Sequence, residues 1–292
     1  MVPHSFTSGM ALAAWVAPPK PANIWTSWYP DPVVIAILIA IAVWYGRGFR
    51  CLWDQGGADR ATLRWRAVAF AGALLTLVAT LLSPLDALTQ SLLSAHMVEY
   101  LILTTFTALL LVVARPVPAL AAGLPAAWLA GLRGWWERTP PAHAVWRALQ
   151  QPVVAAALDV IAVIVWHIPG VYETALSHRS LHVVQQLCFL GPAILLWRLV
   201  MRPSDERTFS HGRVLLSLIG ASLLSTCVGL LMYAGTTWYP IYIGRTAVWG
   251  VSVRTDQQMA GLLLGVVPEI ADVITFLVVL AGWLQAEEAR AA

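Results

Sequence analysis

The sequence predicts an all-α polytopic membrane protein, a bundle of about seven transmembrane helices, and three observations carry that prediction. Hydrophobic residues make up 59% of the 292 residues and charged residues only 11%, and the mean hydropathy is +0.72. A soluble domain of this composition would expose apolar patches far larger than soluble proteins tolerate. Seven apolar runs approach the roughly twenty residues that a helix needs to cross about 30 Å of hydrocarbon. The arginines lie in the connections between those runs or close to the run ends.

Each predicted span is bounded by helix-ending residues or by charge. Several runs have a proline at or near one end, which is where proline destabilises a helix least. The first run is short, and the seventh is long enough to tilt in the bilayer. In chain order the spans are predicted near residues 31–46, 65–85, 90–114, 152–170, 181–201, 213–235 and 257–284.

Positive charge orients the bundle. The connections alternate between two sets, and of the 18 lysines and arginines all but Lys20, Arg179, Arg245 and Arg254 fall in one set. By the positive-inside rule this bias places the N-terminus outside and the C-terminus inside. The sequence therefore divides into an outer arm (1–30), a transmembrane domain (31–285) and a cytoplasmic tail (286–292).

Composition also excludes other classes. The net charge of +3 does not form a basic stripe with interleaved aromatics, so nucleic acid is not an expected partner. Cys51, Cys188 and Cys227 offer no metal spacing or disulfide framework. No nucleophile–base constellation, phosphate loop or nucleotide fingerprint occurs, so the chain is not expected to be an enzyme.

Four histidines converge on the outer leaflet in this topology. His167 ends the fourth span, His178 and His182 open the fifth, and His96 lies roughly 9 Å into the third. If Ser177 caps the fifth helix, His178 and His182 share one face. Polar side chains inside a membrane face the bundle interior and mark functional sites. His4, His143 and His211 fall elsewhere and are left out.

Imidazole suits copper, zinc, iron and nickel, and thioether sulfur favours Cu(I). Met97, Met232 and Met259 all lie near outer helix ends, so a copper site of two or three histidines with an optional sulfur is chemically reasonable. Interfacial histidines that merely anchor helix ends, and methionines that merely fill gaps in the core, are the alternatives.

The order of these signals resembles the CtaG family of assembly factors for caa3-type cytochrome c oxidase. The resemblance rests on four segments and covers about residues 60 to 284. They are Ser83-Pro84-Leu85-Asp86, His96-Met97, Trp166-His167-Ile168-Pro169 followed by Leu181-His182, and Asp256-Gln257-Gln258-Met259.

The resemblance implies a multi-pass protein of the bacterial plasma membrane that handles copper on its outer face. Its implied partners are oxidase subunits, membrane lipid and periplasmic copper carriers. Carried over by position, the metal-site residues are His96, His167, His182 and Asp256, with His178 and Met259 next. The chain departs from the family pattern at Tyr100, where relatives have a second histidine, and at Val267-Pro268-Glu269, where relatives have a tryptophan-proline-glycine turn.

Two other functions stay open. Histidines on neighbouring helices could ligate haem b in an electron-transfer protein. Glu269 and Asp272, deep in the seventh run, could serve a small ion or solute transporter. A satisfied interior pair with Tyr, Ser or Arg is the alternative for these acids, as for Asp159 in the fourth span.

Overall fold

The computed structural model describes residues 17–56, 59–201 and 211–291, and in these ranges it contains helices and no strand. The α-helices are α1 (Pro32–Asp54), α2 (Arg60–Leu81), α3 (Pro84–Leu88), α4 (Leu93–Leu101), α5 (Ala108–Ala114), α6 (Pro116–Gly123), α7 (Ala126–Arg138), α8 (Pro140–Leu149), α9 (Pro152–Trp166), α10 (Pro169–Ser177), α11 (Arg179–Val200), α12 (His211–Ala234), α13 (Val253–Gly265) and α14 (Val267–Ala291).

The all-α membrane architecture is confirmed. Within the described ranges, six stretches are long and apolar enough to span a bilayer, and α8 with α9 makes a seventh if that pair, bent by 78°, is one span. The fourth predicted span is the weakest, because α9 has 15 residues and is only about 22 Å long. The domain limits stay a prediction, and the first 16 residues of the predicted outer arm lie outside the described ranges.

The seventh predicted span is two helices. Helix α13 ends at Gly265 and α14 begins at Val267. Pro268 explains the break, because its ring clashes with a carbonyl one turn earlier and it has no N–H to donate. A hydropathy pattern does not register this break, since the residues on both sides are apolar.

The third span contains a π-helical turn, Ile102–Thr107, between α4 and α5. Such a turn widens the helix by one residue and leaves main-chain carbonyls available to other donors. Trp197 on α11 uses one of them, since its Nε1 donates to the Thr104 carbonyl oxygen at 2.9 Å. The turn therefore joins the third span to the fifth.

Glycines allow two pairs of helices to touch through their backbones. A Cβ atom on Gly48 of α1 would lie 1.6 Å from the Ala119 carbonyl oxygen of α6, and one on Gly229 of α12 would lie 2.5 Å from the Gly261 carbonyl oxygen of α13. Small residues at such crossings are the usual means of close packing in membranes.

Three connections meet at one end of the bundle, which we call the capped end: residues 82–92, 167–178 and 235–252. Gln90 donates to the Leu176 carbonyl at 2.9 Å, and Arg245 donates to the Gln90 carbonyl at 2.9 Å. Glu173 accepts from the Ile241 amide at 3.0 Å. These are the connections predicted to share the outer side, so the structure agrees with the predicted alternation. Which side of the membrane they face stays a prediction from charge.

Candidate metal site

Two histidines and a glutamate form a fully buried group just beneath the capped end. His96 and Glu99 lie on α4 and His182 on α11, each with 0% of its surface exposed. Glu99 Oε2 is 3.6 Å from His96 Nδ1 and 3.5 Å from His182 Nε2. The ligand atoms of all three lie within 4.8 Å of one another. Among the described residues, no other three His, Cys, Asp or Glu side chains bring their ligand atoms this close together.

A second layer of charge holds His182 in place. The carboxylate of Asp86, also 0% exposed, lies 3.3 Å from His182 Nε2 and accepts from Arg179 Nη1 at 2.7 Å. Arg179 also donates to Asp31 at 3.2 Å, which is the residue that caps α1. The network thus links the start of the first helix to the histidine group.

Asp31 lies just outside the first span, and its pKa is below the ordinary value. Partial burial alone would raise that pKa. Hydrogen bonds from the amides of Val34 and Val33 and from the Arg179 guanidinium outweigh the burial. Asp31 therefore stays ionised and available to Arg179.

The walls of the group are an amide and two aromatic rings. Gln186, one turn beyond His182, donates from Nε2 to Glu99 Oε2. The His96 ring meets the edge of Tyr172 at 5.1 Å between centroids and approaches Phe189 at 6.4 Å. Tyr172 in turn donates to the Tyr242 hydroxyl at 2.6 Å, because the Tyr242 hydroxyl itself donates to the Thr89 carbonyl.

Several polar atoms in this buried space have no hydrogen-bond partner. They include both ring nitrogens of His96 and Oε1 of Glu99. An unpaired buried polar atom costs free energy, so each one requires an explanation such as an unseen ion or water.

His167 lies beside the group without belonging to it. Its ring is 2% exposed and 6.0 Å from that of Phe189, the same phenylalanine that His96 approaches. Nδ1 lies 2.6 Å from the Val163 carbonyl, which can only accept, so Nδ1 carries the hydrogen. The other nitrogen, Nε2, has a free lone pair and no hydrogen-bond partner. This is the tautomer that a metal ligand needs.

The other three predicted residues are placed away from the group. His178 is exposed, and its Nδ1 donates to the Thr174 carbonyl at 2.9 Å. Met259 is 47% exposed. Asp256 is buried, but its carboxylate accepts from the Leu93 amide at 2.7 Å, the Ser94 amide at 3.2 Å and the Ser94 hydroxyl. It therefore caps the N-terminus of α4 from another helix.

The expectation that Ser177 caps the fifth span is wrong. Ser177 ends α10 and its hydroxyl donates to the Glu173 carbonyl, while α11 begins at Arg179 with His178 in the capping position. The short helix α10 takes up the residues that the prediction assigned to the start of the span. His178 is consequently exposed, whereas His182 is buried.

Sequence reasoning left Glu99, Asp86 and Arg179 out of the predicted ligand set. The spacing of His96 and Glu99 by three residues was the available signal for Glu99. Asp86 belonged to a motif of the resemblance, and Arg179 was counted only as a charge in a connection. Asp86 contacts Arg179 across 93 residues of chain, and Glu99 contacts Gln186 across 87. No local pattern reports contacts at such separations.

The separations fit a common metal ion. Donor atoms bound at about 2.0–2.1 Å in a tetrahedral site lie roughly 3.3–3.4 Å apart. The two distances to Glu99 Oε2, 3.6 and 3.5 Å, are too long for good hydrogen bonds and near that value. Two imidazoles and a carboxylate suit Cu(II), Zn(II) or Fe(II) better than Cu(I), which prefers sulfur.

Fold and site together define a class: a polytopic α-helical membrane protein with a buried histidine–carboxylate centre near one end of its bundle. The chain belongs to the cytochrome c oxidase caa3 assembly factor family, Caa3_CtaG, whose model matches residues 43–286.

Two mycobacterial proteins are similar to the chain along nearly its whole length. Both are called uncharacterized, one from Mycobacterium bovis and one from Mycobacterium tuberculosis. Each is 24% identical over 298 residues, which cover 96% of this chain and 43% of the relative. The chain thus spans less than half the length of these relatives. No solved structure is significantly similar to it.

Proposed function

We propose that this protein helps to assemble a caa3-type cytochrome c oxidase in the bacterial plasma membrane by holding copper at His96, Glu99 and His182. Family membership supports the assembly role. The observation that supports the metal is the pair of separations near 3.5 Å around one carboxylate oxygen, in a space where His96 lacks hydrogen bonds. The role is delivery, with no substrate turned over, and its partners are oxidase subunits, lipid and periplasmic copper carriers.

The residues of the site have distinct parts in this proposal. His96 and His182 supply nitrogen donors from two spans, and Glu99 supplies the negative charge that a divalent ion requires. Asp86 lies 3.3 Å from the donor nitrogen of His182, Nε2, so its carboxylate adds negative charge beside the ion, and Arg179 balances the charge of Asp86. His167 offers a further lone pair beside Phe189.

A haem site is not favoured by this geometry. Glu99 Oε2 lies within 3.6 Å of a nitrogen of each histidine ring, so a carboxylate occupies the space between them. An axial pair for haem needs that space for the macrocycle.

Copper titration of the purified full-length protein in detergent tests the site. We expect His96→Ala, His182→Ala and Glu99→Gln each to weaken Cu(II) binding by about 10-fold or more, since each removes a donor. His178→Ala is the matched control, because this histidine is four residues from His182 yet exposed and bound to a main-chain carbonyl. Equal binding by wild type and the three donor variants, or equal loss in His178→Ala, contradicts the copper site.

The same variants test the assembly role in cells that make a caa3-type oxidase. Oxidase activity at limiting copper should fall in the three donor variants while the amount of protein in the membrane stays normal. Added copper should partly restore activity, because mass action refills a weakened site. Full oxidase activity in all three variants at limiting copper would show that oxidase assembly does not depend on this site.

A further inference from the structure

Charged groups outside the histidine site differ in whether the protein itself satisfies them. Glu269, deep in the bundle, accepts from the hydroxyls of Ser222 and Thr226 at 2.7 Å, which is the interior pairing that the sequence left as an alternative. Glu269 is therefore satisfied within the chain. The arginines at the end of the bundle opposite the capped end are not satisfied in this way.

An open cleft lies where α1 ends and α2 begins, and we call it the arginine cleft. It is lined by Phe49, Arg50, Trp53, Asp54 and Arg64, and its volume is about 510 Å³. Sites for small ligands usually have volumes of roughly 300–1,000 Å³. The cleft is thus large enough for a group of ligand size.

A row of aromatic rings fixes one wall of the arginine cleft. Tyr45, Phe49 and Trp53 are spaced four residues apart, so they share one face of α1. The centroid of the Phe49 ring lies 6.5 Å from that of Tyr45 and 5.7 Å from that of Trp53. Tyr45 in turn stacks on the buried ring of Phe70 on α2 at 3.7 Å. The Trp53 ring is therefore anchored to the packed core between the two helices.

Two arginines of α2 lie against that ring. Arg60 and Arg64, also four residues apart, have their guanidinium carbons 5.2 and 5.3 Å from the centroid of Trp53, which is the distance of a cation–π contact. Both side chains are exposed, and among the described residues neither they nor Arg50 forms an ion pair with a carboxylate. An aromatic ring carries no net charge, so Trp53 holds the two cations in place without neutralising them.

The charge around the arginine cleft is positive overall. From residue 47 to residue 66 the chain has five arginines and two aspartates. Asp54 lines the cleft, whereas the carboxylate of Asp59 accepts from the first amides of α2 as its cap. A positive cleft with a surplus of guanidinium donors fits an anion, and the planar guanidinium matches the oxygens of a phosphate in pairs.

The position of the cleft identifies the source of that anion. Helix α1 has 23 residues, or roughly 34 Å, which exceeds the about 30 Å of hydrocarbon. Its last turn therefore reaches the headgroup layer, on the side that charge predicts to be the inner one. Clusters of arginines beside a span attract anionic phospholipid there, and basic pockets between spans bind lipid headgroups.

We propose that the arginine cleft binds the phosphate headgroup of an anionic phospholipid. Arg60 and Arg64, held by Trp53, are the phosphate-binding pair, and Arg50 adds charge from α1. This is selective binding of a headgroup, beyond the general contact of apolar helices with lipid tails. A lipid bound there bridges α1 and α2 at the end of the bundle opposite the histidine group.

Native mass spectrometry of the full-length protein in detergent resolves individual bound lipids and tests the site. The first phosphatidylglycerol should bind about 10-fold or more tightly than phosphatidylcholine with the same acyl chains. Arg60→Ala and Arg64→Ala should each lower the phosphatidylglycerol affinity by about 5-fold, the effect of one arginine beside an anionic lipid surface, and leave the phosphatidylcholine affinity unchanged. Arg133→Ala is the matched control, since it removes the same charge from an exposed position on α7 outside the cleft.

A second variant separates geometry from charge. Trp53→Leu keeps the apolar bulk and the net charge but removes the ring that holds both guanidiniums. It should also lower the phosphatidylglycerol affinity, whereas an effect of net charge alone would leave it unchanged. The unfolding midpoint is measured alongside, and the two variants at exposed arginines carry the test if Trp53→Leu is unstable.

Three results overturn the lipid site. The first is equal affinity of the wild-type protein for the two lipids. The second is an equal loss in Arg133→Ala and Arg64→Ala, which would reduce the preference to overall charge. The third is displacement of bound phosphatidylglycerol by millimolar inorganic phosphate, which would assign the cleft to a soluble anion. None of these variants changes a residue of the histidine group, so the copper proposal is tested separately.

Discussion

Glu99 and Asp256 are two buried carboxylates with different partners. Glu99 belongs to α4, whereas Asp256 belongs to α13 and contacts the start of α4. Glu99 faces two imidazoles and an amide. Asp256 faces the first amides of the helix, which have no partner within it. A negative charge there also opposes the positive end of the helix dipole. The family resemblance suggested Asp256 as a metal-site residue, and in the structure its carboxylate caps the N-terminus of α4.

We expect Asp256→Ala to lower the free energy of unfolding by about 1–3 kcal/mol, because it removes a cap and leaves buried amides unpaired. Asp256→Asn should cost less, since its amide oxygen still accepts. Asp59→Ala, at the exposed cap of α2, is the matched control and should cost less than Asp256→Ala, because the amides it leaves unpaired stay accessible to water. Thermal unfolding in detergent measures the three. Loss of copper binding in Asp256→Asn with normal stability would instead make Asp256 a ligand.

Part of the candidate site could be predicted from single residues of the sequence. His96 and His182 are identifiable because histidine is rare and costly in apolar runs. Their pairing with Glu99 and Asp86 depends on the contact of α11 with α4, which is set by packing over long stretches of chain. Met259 and His178 were predicted in the same leaflet as His96 and His182, yet both are exposed. Depth in the membrane does not tell which face of a helix a residue occupies, so depth alone could not exclude them from the site.

At the scale of elements, hydropathy located the spans but not their interruptions. The break at Val266, the π-helical turn at Ile102–Thr107 and the short helix α10 all lie within or beside apolar runs. Each changes which face of a helix meets its neighbours. The close crossings of α1 with α6 and of α12 with α13 likewise depend on single glycines that hydropathy averages out.

Gly48 and Gly46 on α1 make a matched pair for testing the first crossing. A Cβ on Gly48 would collide with the Ala119 carbonyl, whereas one on Gly46 meets nothing within 4 Å. We expect Gly48→Ala to lower the free energy of unfolding by about 1–3 kcal/mol or more. Gly46→Ala should be neutral or stabilising by up to about 1 kcal/mol. Equal unfolding midpoints for the two variants in detergent would show that α6 does not lie against α1.

At the scale of the whole molecule, the structure joins three connections at the capped end, and charge predicts that this end faces outward. The alternation could be predicted because most spans are long and the lysines and arginines gather in alternate connections. The capped end could not, since its hydrogen bonds join residues from distant connections, such as Arg245 to Gln90.

Thiol labelling tests the orientation. Thr237 lies at the capped end and Cys51 at the opposite one, and both are exposed. In intact spheroplasts, a membrane-impermeant maleimide should label Thr237→Cys, and native Cys51 should react only after permeabilisation. Ala87 lies in another connection of the capped end, but it is only 1% exposed, so a cysteine there would be a poor target for the reagent. Labelling of Cys51 without permeabilisation would invert the bundle and move the histidine group to the cytoplasmic side.

The bond between Arg179 and Asp86 also sets an order of events during synthesis. The two residues are 93 positions apart, which a ribosome covers in roughly 5–20 s at about 5–20 residues per second. Late in that interval Asp86 and Glu99 have been made, while Arg179 and His182 do not yet exist. The first three spans are therefore made with His96, Glu99 and Asp86 but without the guanidinium and the second imidazole that face those acids, and a nascent chain arrested before Arg179 carries half of a site that its second half must close.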